Sequence, residues 1–347
     1  MMYERLRVVL AMVFFYTGIT KLALRVKERS DRRLLILNYH NADGQLEKQL
    51  RYLQRHYRIM HLDEALEELF VPLSQAGTGG RDQRLPVVLT FDDGYLDNYT
   101  EGFRLAKLYH VPMTIFVIPG YIENGCYFWW LAAQKLVSQL HSEVITFAGS
   151  TYNMQSLQDR QALTIAIDAQ ARNATSVAER EAFLADIQLI LGVALPCRDT
   201  DALDGNMPLT WEQIKEMEAS GLISFGAHTV NHPILANIAD PTELLFEIKE
   251  SRRILEEKLG SPIRTFAYPV GKFQHIRERG VEAVRAAGYT WAVTTLEELD
   301  TSESNPLFLG RMPGDTEVHW MVMAAELVGL LGVVSRIRKK YAKLFTK

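Results

Sequence analysis

Two adjacent aspartates at the end of an apolar run constrain this chain more than any other feature. The run over residues 85–89 is typical of a buried strand, and Asp92, Asp93 and Gly94 follow it closely. An unpaired carboxylate buried at a strand end costs free energy, which a bound cation or a catalytic role can offset. Successive side chains of a strand point to opposite faces, so the two aspartates share one site only where the chain turns. Gly94 permits that turn, and an ordinary Asp-Gly turn is the alternative interpretation.

Short apolar runs alternate with helical patterns along most of the chain. The runs that predict strands are 34–39, 85–89, 113–118, 223–227, 265–268, 291–294 and 307–310. Thr210 with Gln213 predicts a capping box, and Asp240 before Pro241 predicts a second helix start. Strands that alternate with helices favour a parallel sheet with helices outside. About seven such units in one chain favour a barrel over an open sheet.

Residues 121–209 interrupt this alternation. They contain the aromatic cluster Phe128, Trp129 and Trp130 and a long helical pattern over 156–191. We therefore predict a helical insertion or lid. Trp129 and Trp130 are candidates for stacking on a sugar ring, and packing within the core of the insertion is the alternative.

A pair of histidines follows the predicted strand at 223–227. His228 and His232 lie four residues apart, and Pro233 comes directly after them. On a helical turn, this spacing places both imidazoles on one side, as a divalent metal requires. Two imidazoles and one carboxylate form the three-ligand set of a hydrolytic zinc site, and a second carboxylate is then free to take a proton from water. A structural histidine pair is the alternative.

The segments Thr-Phe-Asp-Asp-Gly at 90–94 and His-Thr-Val-Asn-His-Pro at 228–233 resemble the first two motifs of the polysaccharide deacetylase (NodB-homology) family. The resemblance covers roughly 34–120 and 210–312. It implies an α/β fold, a deformed (β/α) barrel of about seven strands, as a catalytic domain over 34–319 with the helical insertion at about 121–209. It further implies that Asp92 is the catalytic base and that Asp93, His228 and His232 bind a divalent metal, with Zn²⁺ as the expected ion.

Residues 266–271 (Phe-Ala-Tyr-Pro-Val-Gly) stand where this family has its third motif. The resemblance implies that these residues line the groove and help to hold the oxyanion: Tyr268, Pro269, Val270 and Gly271. Many members carry an arginine in this motif that pairs with the base. Ala267 occupies that place here, and Arg311 is the candidate replacement.

The family's usual general acid lies in a Leu-x-His motif, and no Leu-x-His follows the third-motif segment of this sequence. His40, after the first predicted strand, and His319, near the C-terminal apolar segment, are the candidates. A structural role is the alternative for each of them.

Both ends of the chain are apolar and basic. Residues 1–33 carry a net charge of +5 and residues 335–347 one of +6, so the remainder carries about −15. An acidic body excludes a nucleic-acid-binding domain, whereas the basic ends suit an anionic membrane surface. Residues 8–20 are uncharged but shorter than a bilayer span, so we weigh a span over 8–24, an in-plane anchor and a helix packed on the body. Residues 320–347 form a second apolar and then basic segment, predicted as a helix.

The predicted protein is a membrane-associated, metal-dependent hydrolase that removes N-acetyl groups from amino sugars of a cell-surface or exported polysaccharide. The alternatives are a deacylase of a lipid-linked or O-acylated sugar and a metal-containing glycan-binding protein with little turnover. Basic residues after the first apolar segment favour a cytoplasmic body, whereas glycan modification favours a body outside. Cys126 and Cys197 are too few for a disulfide framework or a metal knuckle and leave the redox compartment open.

Overall fold

The computed structural model describes residues 2–28, 33–71, 82–198 and 205–332. The strands are β1 Arg33–Tyr39, β2 Arg58–Ile59, β3 Pro86–Phe91, β4 Met113–Val117, β5 Val144–Phe147, β6 Ser150–Asn153, β7 Ile223–Ala227, β8 Thr265–Ala267, β9 Trp291–Val293, β10 Asp300–Thr301 and β11 Met312–Pro313. The helices are α1 Met2–Tyr16, α2 Ile19–Glu28, α3 Leu46–His56, α4 Leu62–Phe70, α5 Arg104–Tyr109, α6 Pro119–Asn124, α7 Trp129–Ser138, α8 Leu157–Arg172, α9 Val177–Leu191, α10 Trp211–Ala219, α11 Pro241–Leu259, α12 Phe273–Ala286 and α13 Trp320–Leu327, and a π-helical segment, Asn98–Phe103, precedes α5.

The main sheet is mostly parallel and curls into a deformed (β/α) barrel with helices outside. Its strand order is β10, β1, β3, β4, β7, β8, β9, with β11 added to β1 and β2 added to β3. Parallel strands that are covered on both faces need continuous apolar runs, which explains why six consecutive residues of β1 are buried. The α/β barrel predicted from the sequence is confirmed.

The predicted strand at 307–310 pairs less with the sheet than the other predicted strands do. It forms only a single bridge, between Leu309 and Val293. Two backbone hydrogen bonds accompany it: Leu309 donates to the Ala292 carbonyl at 2.9 Å, and Thr294 donates to that of Leu309 at 2.8 Å. The pairing is too short to make a strand, and the chain joins the sheet again at β11.

The predicted helix signals have their expected structural form. Thr210 and Gln213 make a complete capping box at the start of α10. Asp240 accepts a hydrogen bond from the Thr242 backbone N–H at the start of α11, which ends at Gly260 in a left-handed conformation.

The segment between β4 and α10 contains α6 to α9, with a hydrophobic core of its own. It also contains an antiparallel hairpin, β5 with β6, that the helical interpretation of 121–209 did not include. Cys126 and Cys197 are joined by a single disulfide, a pairing that the sequence analysis did not predict. The sequence separation of 71 residues gave no local signal for this pairing.

The apolar ends of the described chain pack on each other. The rings of Phe15 in α1 and Trp320 in α13 meet edge to face, with centroids 5.0 Å apart. Arg7 forms a salt bridge with Glu326, the acidic residue that interrupts the C-terminal apolar segment. No single described helix is long and apolar enough to cross a membrane, although α1 and α2 together have the composition and length of a span broken by a 75° bend. The basic segment 335–347 lies outside the described residues.

Candidate active site

The two aspartates lie where β3 ends and the chain turns. Asp92 is held by its backbone N–H, which donates to the Tyr39 carbonyl of β1 at 2.9 Å. Asp93 has a φ of 73° and Gly94 one of 72°, so the chain reverses through two left-handed residues. This turn directs both carboxylates into one cavity, as the sequence predicted. A left-handed conformation is costly for an aspartate and is typical of functional sites.

Arg311 is fully buried against Asp92. Its two terminal nitrogens reach the two carboxylate oxygens at 2.8 and 2.7 Å, a bidentate pair. The same guanidinium donates to the Thr90 hydroxyl at 3.0 Å and the Thr294 carbonyl at 2.7 Å, which fixes its orientation. Burial raises the pKa of Asp92, but the charge and hydrogen bonds of Arg311 together with the nearby imidazoles of His228 and His40 outweigh burial, and the net pKa is lowered. Asp92 is therefore ionised at neutral pH.

The two histidines lie in a loop after β7, and the helical turn expected there is absent. Thr229 and His232 both have positive φ, 65° and 54°. The Thr229 hydroxyl accepts a hydrogen bond from the His232 N–H at 2.9 Å and so closes the loop. The result is nevertheless the predicted one, because the two imidazoles lie on the same side with ring centroids 4.8 Å apart.

A buried glutamate of α11 supports this loop. Glu247 accepts hydrogen bonds from the backbone N–H groups of Val230 and Asn231 at 3.1 and 2.8 Å. It also accepts one from the Asn231 side chain at 2.7 Å. The carboxylate therefore satisfies three donors immediately before His232.

The insertion supports the same loop from the other side. Arg180 of α9 donates to the Asn231 carbonyl at 3.0 Å. The Trp129 indole N–H donates to the His232 carbonyl at 2.9 Å. The Arg180 guanidinium lies 5.0 Å from the centroid of the Trp129 ring, a cation–π contact that joins the two supports.

Asp93, His228 and His232 form a cluster of ligand atoms that all lie within 4.8 Å of one another. The Asp93 Oδ1 atom is 3.4 Å from Nε2 of His228 and 3.6 Å from Nε2 of His232. That oxygen is buried and has no hydrogen-bond partner within the described part of the chain. Nδ1 of His228 lies 2.7 Å from the Ala267 carbonyl, the arrangement that turns Nε2 of a ligating histidine towards a metal. The donor set fits a divalent metal.

The protonation of the cluster differs between its two imidazoles. Burial lowers the pKa of His228, but the hydrogen bond with Asp93 and the charges of Asp92 and Asp93 outweigh burial and raise it, so metal binding at His228 competes with a proton. Burial raises the pKa of Asp93, but the two imidazoles outweigh burial and lower the pKa to about 2. Burial lowers the pKa of His232 to about 3, so its imidazole stays neutral, the form that binds a metal.

These residues surround one cavity of about 450 Å³. It is lined by His40, Asn41, Asp92, Asp93, Tyr95, Trp129, Trp130, Arg172, His228, His232, Val270 and Thr295. The cavity thus joins the base candidate, the ligand cluster, a further histidine and two tryptophans.

The family model of polysaccharide deacetylase matches residues 79–183 and 199–292. The chain belongs to the polysaccharide deacetylase family. It is 22% identical over 275 residues to YxkH, a Bacillus subtilis protein named as a polysaccharide deacetylase, which covers 78% of this chain and 67% of that protein. The chain is accordingly a carbohydrate deacetylase, a hydrolase.

Solved structures share the fold. The Streptococcus pyogenes deacetylase PplD in complex with acetate has a TM-score of 0.53 at 20% identity, over 85% of this chain and 97% of that one. IcaB from Ammonifex degensii has a TM-score of 0.51 at 21% identity, over the same shares of the two chains. The deacetylase domain of BpsB from Bordetella bronchiseptica has a TM-score of 0.51 at 14% identity, over 82% of this chain and 96% of that one.

The third-motif residues of this deacetylase differ in what they offer to the cavity. The Tyr268 phenol is buried and donates to the Leu307 carbonyl at 2.8 Å, and its backbone N–H donates to the Val293 carbonyl. Pro269 has no N–H group. Tyr268 and Pro269 therefore offer no donor to an oxyanion, because the Tyr268 N–H already pairs with the neighbouring strand. Val270 lines the cavity, and neither its N–H nor that of Gly271 donates a hydrogen bond among the described residues.

The two aromatic candidates, Trp129 and Trp130, also differ in their exposure. Trp129 is 2% exposed and packs in the core of the insertion, while it supports the His232 loop. Trp130 is only partly buried, and its ring centroid lies 4.2 Å from that of His232. A stacking role for either residue stays a prediction.

The two candidates for the general acid have different surroundings. His40 is exposed and lines the cavity. His319 caps α13 through Nδ1, which accepts a hydrogen bond from the Met321 N–H at 3.2 Å, and it does not line this cavity.

Glu247 and Arg180 were not singled out from the sequence. A signal existed for Glu247: it takes a core-facing place among the buried residues of α11, with Leu244, Ile248 and Leu255. A charged residue at an apolar helix position has a buried partner as a rule. Arg180 carries the same kind of signal, since it lies with Leu184, Ile187 and Leu191 on the buried face of α9, although its contact with Asn231 spans 51 residues of sequence.

Proposed function

We propose that this deacetylase removes N-acetyl groups from amino sugars of a polysaccharide in a metal-dependent hydrolysis. The observation that carries the proposal is the Asp92–Arg311 pair beside the cluster of Asp93, His228 and His232 in one cavity. A buried ionised carboxylate next to a three-ligand site is the arrangement that hydrolysis of an amide by activated water requires.

Zn²⁺ is the proposed ion, because two imidazoles and one carboxylate are a typical catalytic zinc set. When bound, it supplies Lewis acidity that polarises the acetamide carbonyl and lowers the pKa of water. Asp93, His228 and His232 would hold it, and the Ala267 carbonyl and Thr229 hydroxyl keep the two histidines in place.

Asp92 acts as the general base in this proposal and takes a proton from the attacking water. Arg311 keeps both carboxylate oxygens oriented and keeps the carboxylate ionised. The N–H groups of Val270 and Gly271 are the available backbone donors for the negative oxygen that develops on the acetamide carbon.

His40 is the proposed general acid that protonates the leaving amine. It lines the same cavity as Asp92 and Asp93, and its imidazole is the exposed titratable group there that no ligand or base role uses. Its backbone carbonyl accepts a hydrogen bond from the Asn98 side chain at 2.8 Å, which anchors the residue while the ring stays free to contact a substrate. The alternative of a glycan-binding protein with little turnover depended on the lack of a general acid. A role of His40 as the acid would supply that group.

We further propose that the protein associates with a membrane and that its catalytic body lies outside the cytoplasm. Exposed apolar side chains on α1 and α2, among them Leu6, Val9 and Leu22, support the membrane contact, with Lys21 and Arg25 beside them. The Cys126–Cys197 disulfide supports the location, because such bonds persist in oxidising compartments. Vesicle flotation tests the membrane contact. Labelling of a surface cysteine introduced into the body, with a thiol reagent that does not cross membranes, tests the location in intact cells.

The decisive experiment measures metal content and acetate release from N-acetylglucosamine oligomers for the wild type and Asp92→Asn. We expect about one zinc per chain in both proteins and acetate from the wild type alone. Acetate from Asp92→Asn at the wild-type rate would overturn the base assignment. A panel of O-acetylated and lipid-linked sugars separates N-deacetylation from the removal of another acyl group.

A further inference from the structure

A second cavity opens beside the active-site cavity. It has a volume of about 490 Å³ and shares His40, Asn41 and Thr295 with the first. The second cavity lies over the ends of β1 and β11, with Asn38, Pro313 and Thr316 among its lining residues. A ligand that occupies the first cavity can therefore extend into the second without leaving the protein surface.

The second cavity is strongly acidic. Four exposed carboxylates line it: Asp43, Glu297, Asp315 and Glu317. None of them forms a salt bridge with another described residue. The basic groups in the lining are Lys272, Arg311 and the proposed proton donor His40, and Arg311 is already neutralised by Asp92, so the carboxylates remain in excess. The cavity thus favours a cation and repels a phosphate.

An unpaired buried amide lies in the same wall. Asn38 lines the cavity, is 9% exposed and comes from the end of β1. Its side-chain oxygen is buried and has no hydrogen-bond partner among the described residues. A buried polar group without a partner costs free energy, which a donor on a ligand recovers.

We propose that this second cavity binds a protonated amino-sugar unit, already deacetylated, next to the acetylated unit in the active-site cavity. The inference rests on the proposed function, since hydrolysis of an N-acetyl group turns a neutral amide into an amine that is protonated at neutral pH. The four carboxylates attract the ammonium group, and Asn38, Asn41 and Thr295 offer hydrogen bonds to sugar hydroxyls.

The consequence is a preference of the enzyme for chains that it has already begun to deacetylate. The charge of the product unit lowers KM for the acetylated unit beside it, while the chemical step is unchanged. The preference weakens with salt, because the carboxylates are exposed.

The test compares a double variant, Glu297→Gln with Glu317→Gln, against a matched control, Glu298→Gln with Glu303→Gln. All four glutamates are exposed, and none accepts a hydrogen bond through its side chain in the described structure. Both variants lose two charges, but only the first loses them from the cavity lining. The substrates are fully acetylated and singly deacetylated N-acetylglucosamine tetramers.

We expect the wild type and the control to favour the singly deacetylated tetramer in kcat/KM by about three- to tenfold, the scale of two exposed ion pairs. In the cavity variant the preference should fall to half or less through KM, with kcat retained, because Asp43 and Asp315 remain in the lining. An equal preference in all three proteins, or none in the wild type, would overturn the inference and leave the proposed function intact.

A binding measurement distinguishes failure of this inference from failure of the proposed function. Calorimetry of glucosamine tetramer with Asp92→Asn, alone and combined with the cavity variant, needs no turnover. We expect weaker binding by a similar factor in the combined protein. If acetate release fails altogether, the proposed function fails, and this titration still decides whether the cavity binds an amino sugar. Equal binding in both proteins contradicts the inference.

Discussion

The active site has two halves that are held in different ways. The carboxylate half, Asp92 and Asp93, is fixed by the barrel: Arg311 directly precedes β11, and its partners are Thr90 within β3 and Thr294 directly after β9. The histidine half, His228 and His232, lies on a loop held by Glu247 of α11 and by two residues of the insertion.

This difference separates two properties of the enzyme. Changes at Asp92 and Arg311 act on proton transfer and on the stability of the barrel, whereas Asp93 belongs to the metal cluster. Changes around the histidine half act on metal affinity, because they move ligands without touching the base. Variants at matched sites test whether the two properties respond separately.

The largest contrast is between His228→Ala and Asp92→Asn. Loss of one of three protein ligands should remove both metal and activity, whereas Asp92→Asn should keep the metal and lose activity by about 10²- to 10⁴-fold. Metal analysis after gel filtration, with circular dichroism as a check on folding, measures this. A stoichiometric metal in His228→Ala would break the ligand assignment.

Arg311→Gln leaves Asp92 buried without its counter-charge. We expect a loss of about 3–5 kcal/mol in the free energy of unfolding, the usual cost of a stranded buried charge. Urea denaturation measures it. The double variant Asp92→Asn with Arg311→Gln should recover much of the loss, because no charge is then unpaired. A single variant as stable as the wild type would show that the barrel does not depend on this pair.

Asp300 supports the chain just before Arg311 by accepting a hydrogen bond from the Gly310 N–H at 3.1 Å. Burial raises the pKa of Asp300 to about 7. The native state therefore holds this proton more tightly than the unfolded chain, and the associated stability is lost as pH rises from about 4 to 7.

Asp300→Asn mimics the protonated carboxyl group. It should match the wild type near pH 4 and exceed its free energy of unfolding by about 2–4 kcal/mol at pH 8. Urea denaturation at both pH values measures the difference. A difference that does not change with pH would contradict the raised pKa.

Glu247→Gln keeps the shape of the side chain but weakens three hydrogen bonds to the histidine loop. We expect metal affinity to fall by about 10- to 100-fold, as for other groups that orient metal ligands, with activity restored by added metal. Competition with a chelator measures it, and Glu257→Gln on the exposed face of α11 is the control. If excess metal does not restore activity, Glu247 affects proton transfer and not metal affinity.

The smallest effect is expected for Trp129→Phe, which removes the hydrogen bond to the His232 carbonyl. One buried hydrogen bond is worth about 0.5–1.5 kcal/mol, so metal affinity should fall only a few-fold. Trp211→Phe is the matched control, since its indole N–H donates to Glu123 at the surface. Equal chelator curves for the two variants would mean that the insertion does not position the histidine loop.

The sequence predicted the parts of this enzyme that depend on local signals. The buried strands, the capping box at Thr210 and the two motifs around Asp92 and His228 each lie within a few residues. Arg311 was predicted as a partner of Asp92 only because the resemblance implied that the base needs one.

What the sequence did not predict depends on distant contacts or on backbone conformation. The hydrogen bonds of Glu247 and Arg180 join separate elements, so no short pattern contains them. The positive φ values of Thr229 and His232 replace a helical turn with a loop that the His-x-x-x-His spacing alone cannot distinguish. Tyr268 turned into the barrel because its phenol finds the Leu307 carbonyl there.

The disulfide between Cys126 and Cys197 gives the chain a second covalent route from β4 to β7. The aspartates precede this bridge and the histidines follow it. A single protease cut between the two cysteines therefore leaves both halves of the site in one molecule. Under reducing conditions, the same cut yields two fragments, one with the base and one with the imidazoles.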